Sequence, residues 1–265
     1  MRSTLKKVDN MTISLSEFTS LQDVISYLNS APDAGVITKN ASHRTGDKDW
    51  AGTSTFDEAL NLMKNGWTDK SKELEGELKK PNKEAQETVQ VTRQRSVYDV
   101  VGGNCSVPRY LQGVPTSMIR QVRAVQDVKK QKIMTVNYSI GFNSCVTGQQ
   151  ITNNAVKCLT YVRRLEEQGI RVNLNIVWVS YEYTDYVAFL IPVKKSSERM
   201  SIAKAAFCLC NPAMLRRIGF ALMEKDKNLR EMKYGEDFKY GYGKSTADKE
   251  KLGKIFPDME IYNAI

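Results

Sequence analysis

The segment from Ile133 to Ser180 constrains the fold more than any other part of the chain. It reads IMTVNYSIGFNSCVTGQQITNNAVKCLTYVRRLEEQGIRVNLNIVWVS. Residues 132–140 have the composition of a strand, apolar residues recur with a helical period over 152–168, and residues 170–180 alternate as in a second strand. Strand, helix and strand in this order predict a right-handed crossover between two parallel strands.

A third strand is predicted from the apolar run YVAFLIPV at Tyr186–Val193. Because this run is apolar on both faces, it is typical of an interior strand of a sheet that is covered on both sides. We therefore expect an α/β fold, with a mostly parallel, Rossmann-like sheet flanked by helices over residues 96–230. A chain of 265 residues is long enough to bury such a core.

Residues 1–95 are predicted to form an N-terminal helical unit that ends in a polar hinge. Apolar residues at spacings of three and four over 12–30 and over 49–67 indicate two amphipathic helices. The segment 68–95 is rich in lysine and glutamate, so we interpret it as the hinge. The last segment, 231–265, is rich in tyrosine and glycine and then in charge, and it is predicted to be an extended tail.

The composition indicates where the protein works and which groups it lacks. No apolar run approaches the ~18 residues of a membrane-spanning helix, and the first residues do not follow the pattern of a secretory signal. We therefore expect a cytoplasmic protein without membrane contact. The five cysteines have no regular spacing and are expected to be reduced thiols. With a single histidine, His43, no structural zinc and no other cofactor is expected.

The chain has a formal net charge of +9, and the excess is concentrated in the middle of the sequence. Between residues 104 and 135, Asp127 is the single acidic residue against six basic ones: Arg109, Arg120, Arg123, Lys129, Lys130 and Lys132. A nucleic-acid-binding surface built from this segment, the pair Arg216 and Arg217 and the tyrosines of the tail is one alternative function. The other interpretation is an ordinary solvated face, with one arginine of the pair bound to Glu224 or to the sheet.

The loop after the first strand of the crossover is the candidate ligand site. In open α/β sheets, ligands bind beyond the carboxyl ends of the strands. Asn137 and Ser139 end this strand, and Asn143 and Ser144 follow in the polar loop. We predict that these four residues contribute to binding.

The order of strand, polar loop, amphipathic helix and strand resembles the opening of a von Willebrand factor A-type domain. In that family the loop carries the motif Asp-x-Ser-x-Ser, which holds a divalent cation that binds a partner's carboxylate. The resemblance covers residues 132–225 and implies a von Willebrand factor A-like core and, as a second alternative, a metal-dependent adhesion-type module. Here Asn137 replaces the aspartate and Gly141 replaces the second serine. Because a hard cation prefers anionic oxygen ligands, we expect no metal in this loop.

Three segments make the whole chain resemble uncharacterised proteins of tailed bacteriophages and prophages: WAGTSTFDEALNLMKNGW, PRYLQGVPTSM and CNPAMLRRIGFALME. The resemblance implies a viral origin and expression in an infected bacterium. The sequence contains no complete phosphate-binding loop and no nucleophile paired with its histidine. We therefore hypothesise a non-enzymatic protein that binds another protein, as an assembly component or as an inhibitor of a host factor. Self-association is also expected, because tyrosines are enriched in interfaces: Tyr181, Tyr183, Tyr186, Tyr240 and Tyr242.

Overall fold

The computed structural model describes residues 1–37, 46–78, 95–122, 133–142, 146–246, 248–256 and 260–263. Backbone contacts divide the chain into two units. The first comprises Met1–Lys83 and Ile133–Ile265, and the second, Glu84–Lys132, is inserted between those two parts. The boundaries expected near residues 95 and 230 differ from this division, because the N-terminal residues belong to the same unit as the crossover.

The described strands are, in chain order, β1 (Arg2–Val8), β2 (Met11–Glu17), β3 (Arg95–Asp99), β4 (Asn104–Cys105), β5 (Met118–Val122), β6 (Ile133–Ser139), β7 (Arg171–Glu182), β8 (Asp185–Lys194), β9 (Lys244–Ser245) and β10 (Glu260–Asn263). The described α-helices are α1 (Leu21–Ser30), α2 (Lys48–Ala51), α3 (Phe56–Asn65), α4 (Thr68–Leu78), α5 (Val107–Leu111), α6 (Gly148–Glu167), α7 (Ile202–Cys210), α8 (Phe220–Glu224) and α9 (Lys249–Ile255). A π-helix spans Met214–Gly219, and 3₁₀-helices span Lys227–Glu231 and Gly235–Tyr240. In the described part of the chain, none of the helices has the length and apolarity needed to cross a membrane.

The sheet of the first unit is mixed. Its strand order is β1-β2-β8-β7-β6-β10, and β9 pairs with the end of β7. The pairs β2/β8, β6/β7 and β6/β10 are parallel, whereas β1/β2, β7/β8 and β7/β9 are antiparallel. The prediction of a mostly parallel sheet, Rossmann-like or von Willebrand factor A-like, is therefore wrong.

The physical reason for this error lies in β8. A tight turn, in which Glu182 pairs with Asp185, returns the chain antiparallel to β7. The apolar residues on both faces of β8 suggested a parallel strand, but any central strand that is covered on both sides has this pattern. Val187 belongs to the larger hydrophobic core and Ala188 to the smaller one, so β8 is buried on both faces.

The predicted crossover from β6 through α6 to β7 is present. Strands β6 and β7 are parallel, from the pair of Ile133 and Arg171 to the pair of Ser139 and Val177. The N-cap Thr147 forms a capping box with Gln150, which satisfies two backbone donors at the start of α6. The apolar face of α6 packs into the larger core.

The chain begins with a β-hairpin instead of a helix. Strand β2 pairs in parallel with β8, and its Ile13 and Leu15 belong to the smaller core. Only the second half of the helix predicted over 12–30 is helical, because α1 begins at Leu21. The prediction of an N-terminal helical unit is therefore wrong: the hairpin extends the main sheet, and the helices that follow cover it.

The two faces of the main sheet are covered differently. The larger core contains the buried residues of α1, α3, α4, α6 and α7. The smaller core lies on the opposite face, where Leu252 and Ile255 of α9 join Val177 and Val179 of β7. Pro212 separates α7 from the π-helix, because proline lacks the N–H that would continue a helix.

Candidate functional site

The residues predicted at the end of β6 are engaged inside the protein. Asn137 and Ser139 are both buried. The side chain of Asn175 donates a hydrogen bond to Asn137 Oδ1 at 3.0 Å, and the N–H of Gly141 donates to Ser139 Oγ at 3.4 Å. Asn143 and Ser144 lie outside the described residues. The two described residues of the predicted site are therefore engaged in hydrogen bonds inside the protein.

Arg216 and Arg217 lie on the π-helix and are buried. The guanidinium of Arg217 donates to Thr53 Oγ1 at 3.0 Å and to the carbonyls of Thr53 and Gly46, both at 2.7 Å. Arg216 donates to the carbonyl of Trp50 and lies 4.9 Å from the centre of its ring. The pair therefore anchors the segment 46–54, and its position is unsuitable for contacts with the phosphates of a nucleic acid.

The tyrosines expected at an interface have different environments. Tyr183 is 68% exposed, whereas Tyr186 and Tyr242 are buried. Tyr181 is half-buried and stacks on Tyr186 with 5.4 Å between the ring centres. The side chain of Tyr240 lies outside the described residues. These tyrosines therefore do not form a common exposed surface.

The described residues lack the side-chain clusters that hold metal ions. No group of three or more histidine, cysteine, aspartate or glutamate side chains comes together in that part of the chain. Burial raises the pKa of Cys208 and of Cys210 to about 12, so both thiols stay protonated at neutral pH. Because the thiolate is the nucleophile of cysteine chemistry, these two residues have a packing role.

Asp226 is a buried carboxylate in the first unit. Ser14 Oγ donates to its Oδ2 at 2.6 Å, and the N–H of Asn228 donates to its Oδ1 at 3.0 Å. Burial nevertheless raises the pKa of Asp226 above its ordinary value of 3.8, against the effect of these two hydrogen bonds. The contacts show an N-cap that joins a 3₁₀-helix to β2.

We expect the Asp226→Asn variant to be more stable than the wild type at neutral pH. Because the folded pKa is raised, the folded state binds the proton more tightly, and the wild type loses stability as pH rises from the unfolded value of 3.8 through the folded pKa. The variant lacks this titration, so its stability should change less over that interval. Urea unfolding of both proteins from about pH 4 to about pH 8 measures the difference. A variant with the same pH profile as the wild type would contradict this assignment.

The described part of the second unit exposes most of its large apolar side chains. Its described part is a three-stranded antiparallel sheet of order β3-β5-β4, together with the short helix α5. Among residues 96–121, no hydrophobic side chain is buried. The exposed ones are Val97 at 40%, Tyr98 at 48%, Val100 at 62%, Val101 at 69%, Val107 at 60%, Tyr110 at 67% and Leu111 at 78%.

Five of these side chains lie within the segment 100–111, and we call them the exposed apolar set: Val100, Val101, Val107, Tyr110 and Leu111. The first two lie in the connection between β3 and β4. The other three lie on α5 at positions i, i+3 and i+4, which share one face of a helix. At Gly102 an added Cβ would lie 2.4 Å from the carbonyl oxygen of Ile119, so the connection requires glycine there.

Two of the predicted basic residues accompany the exposed apolar set. The guanidinium of Arg109 lies 4.2 Å from the centre of the Tyr98 ring and donates to Thr116 Oγ1 at 3.3 Å. Arg120 pairs with Asp99 at 3.4 Å, and its side chain is 56% exposed. Arg123 lies outside the described residues. Arginine, tyrosine and aliphatic side chains together have the composition of a protein interface.

The exposed apolar set was not predicted from the sequence. The signal available in the sequence was the density of glycine and proline between residues 102 and 115. Glycine and proline interrupt helices and strands, and the short elements that result, such as α5 and β4, bury little surface on their own. Which apolar side chains they leave exposed becomes clear only from the structure.

Comparison with known families gives one result. The model of a family described as a domain of unknown function, DUF7192, matches residues 4–264. No curated protein sequence and no solved structure matches the chain. The family match covers both units.

Proposed function

The chain belongs to the family of the domain of unknown function DUF7192, and we propose that it acts by binding another protein through the exposed apolar set of its second unit. The observation that carries this proposal is the exposure of five large apolar side chains within residues 100–111, each at least 60% exposed. Folded proteins rarely leave such groups together in water unless a partner covers them.

The exposed apolar set offers free energy for binding. Burial of one valine, leucine or aromatic side chain contributes about 1.5–3 kcal/mol. Since the members of the exposed apolar set are 60–78% exposed, more than half of this contribution remains available to a partner. Arg109 and Tyr98 add the residue types that dominate measured binding energies.

Nucleic-acid binding is the second candidate function. Arg109 stacked on Tyr98, together with the exposed Arg120, is an arrangement that would also contact bases and phosphates. A protein partner is favoured because four members of the exposed apolar set are aliphatic and offer neither charge nor a stacking ring. The burial of Arg216 and Arg217 also removes two of the cations expected for a phosphate-binding surface.

We expect the double variant Val101→Lys, Leu111→Lys to recover at least about tenfold less partner than the wild type. A loss of about 1.4 kcal/mol of apolar burial lowers the affinity tenfold. The measurement is quantitative affinity capture from cells that naturally express the chain. Ile133→Lys is the matched control, since Ile133 is 58% exposed but belongs to the first unit. Equal recovery by the double variant and the wild type would contradict the proposal.

A further inference from the structure

We propose that the partner of the second unit is a protein surface with an apolar centre and an acidic rim, and not a second copy of this chain. This inference rests on the proposed function and names the partner of the same site. The charged side chains near the exposed apolar set carry it. Residues 96–121 contain two arginines, Arg109 and Arg120, and one acidic residue, Asp99.

The one carboxylate among the described residues 96–121 is already engaged. Asp99 pairs with Arg120 at 3.4 Å and accepts a hydrogen bond from the N–H of Val100 at 2.7 Å. It therefore does not neutralise Arg109, whose guanidinium contacts an aromatic ring and a hydroxyl group. The surface thus presents positive charge beside aliphatic groups, and a complementary partner supplies carboxylates.

Arg109 is held in place before any partner binds. Its stacking on Tyr98 and its hydrogen bond to Thr116 fix a side chain that is otherwise flexible. Binding through a preorganised arginine loses less conformational entropy than binding through a free one. Arg109 lies on the side of α5 away from Val107, Tyr110 and Leu111, and its guanidinium reaches Tyr98 in the strand that leads to Val100 and Val101.

A second copy of the chain is a poor occupant for electrostatic reasons. In a twofold-symmetric dimer the same surface patch is buried on both subunits. Arg109 and Arg120 of one copy would then lie near those of the other, and within the described residues 96–121 Asp99 is the only acidic residue. The net charge of +9 adds a general repulsion between two chains.

The experiment selects partners without assuming their identity. A displayed library of small helical domains with randomised surfaces is selected against the full-length chain at low salt. We expect the enriched clones to combine aliphatic with acidic residues. Their affinity should fall about tenfold with Leu111→Lys and about fivefold with Arg120→Gln, and it should weaken as salt rises. Arg199→Gln is the control, because Arg199 is an exposed arginine of the first unit.

Each other outcome overturns a stated part of the proposal. Clones that bind Leu111→Lys as well as the wild type would overturn the proposed function itself. Clones that lose binding with Leu111→Lys but have no acidic excess and tolerate Arg120→Gln would overturn only the acidic partner. A dimer in sedimentation that Leu111→Lys disperses would make a second copy the occupant. A labelled single-stranded oligonucleotide that binds the wild type at low salt, but not Arg120→Gln, would replace the protein partner by a nucleic acid.

Discussion

Replacing Arg217 by methionine is expected to lower the free energy of unfolding by about 3 kcal/mol. The side chain of Arg217 is fully buried and donates hydrogen bonds to Thr53 Oγ1 and to the carbonyls of Gly46, Thr53 and Ser54. Methionine fills a similar volume but donates no hydrogen bond, so these oxygens would lose a partner where water does not reach easily. Urea unfolding of the variant and the wild type measures the change.

The control for Arg217 is an arginine without this role. Arg199 is exposed, and Arg199→Met should change the free energy of unfolding by no more than about 0.5 kcal/mol. If Arg217→Met were as mild as the control, the π-helix would not anchor the segment 46–54. Binding to a partner through the second unit should be unchanged in a folded Arg217→Met protein, because the two roles belong to different parts of the chain.

Replacing Gly52 by alanine is expected to destabilise the protein by about 3 kcal/mol, from backbone strain and overpacking together. Gly52 ends α2 with φ at +82°, a conformation that residues with a Cβ rarely adopt. An added Cβ would lie 2.3 Å from Asn211 Oδ1 and 3.0 Å from the N of Ala213. Asn211 is buried and its Oδ1 accepts from that same N–H at 2.9 Å, so it has little freedom to move.

Gly76 provides the opposite expectation within the same chain. It lies inside α4, and an added Cβ would meet no atom within 4 Å. Gly76→Ala should therefore stabilise the protein by about 0.7 kcal/mol, because alanine favours the helix more than glycine does. Thermal unfolding of both variants measures the two effects. A Gly52→Ala protein as stable as the wild type would show that the contact between α2 and Asn211 is absent.

Local patterns in the sequence were sufficient for part of the fold. The crossover through α6 follows from hydrophobic periodicity. Periodicity failed for β2, because Leu15, Phe18 and Leu21 match a helical spacing although Leu15 belongs to a strand and Leu21 to the helix that follows. Hydrophobic periodicity also did not indicate whether β8 runs parallel or antiparallel to β7, since central strands of both kinds are buried on both faces.

The candidate site was less accessible from the sequence. Arg109 and Arg120 were identified by the local excess of basic residues, a signal that charge alone provides. The same signal also selected Arg216 and Arg217, whose carbonyl partners lie more than 160 residues earlier in the chain and are found only after folding. The exposed apolar set was missed for a related reason. The identity of a valine or leucine does not indicate whether its side chain is buried in a core or exposed on a binding surface.

Photo-crosslinking in cells is the measurement that tests the central claim most directly. Tyr110 and Tyr183 are matched positions, 67% and 68% exposed, in the second and the first unit respectively. Each is replaced in turn by benzoylphenylalanine, and the cells are irradiated. Protein binding through the second unit predicts one discrete protein adduct at position 110 and none at position 183. No adduct at position 110, or the same adduct at both positions, would contradict it.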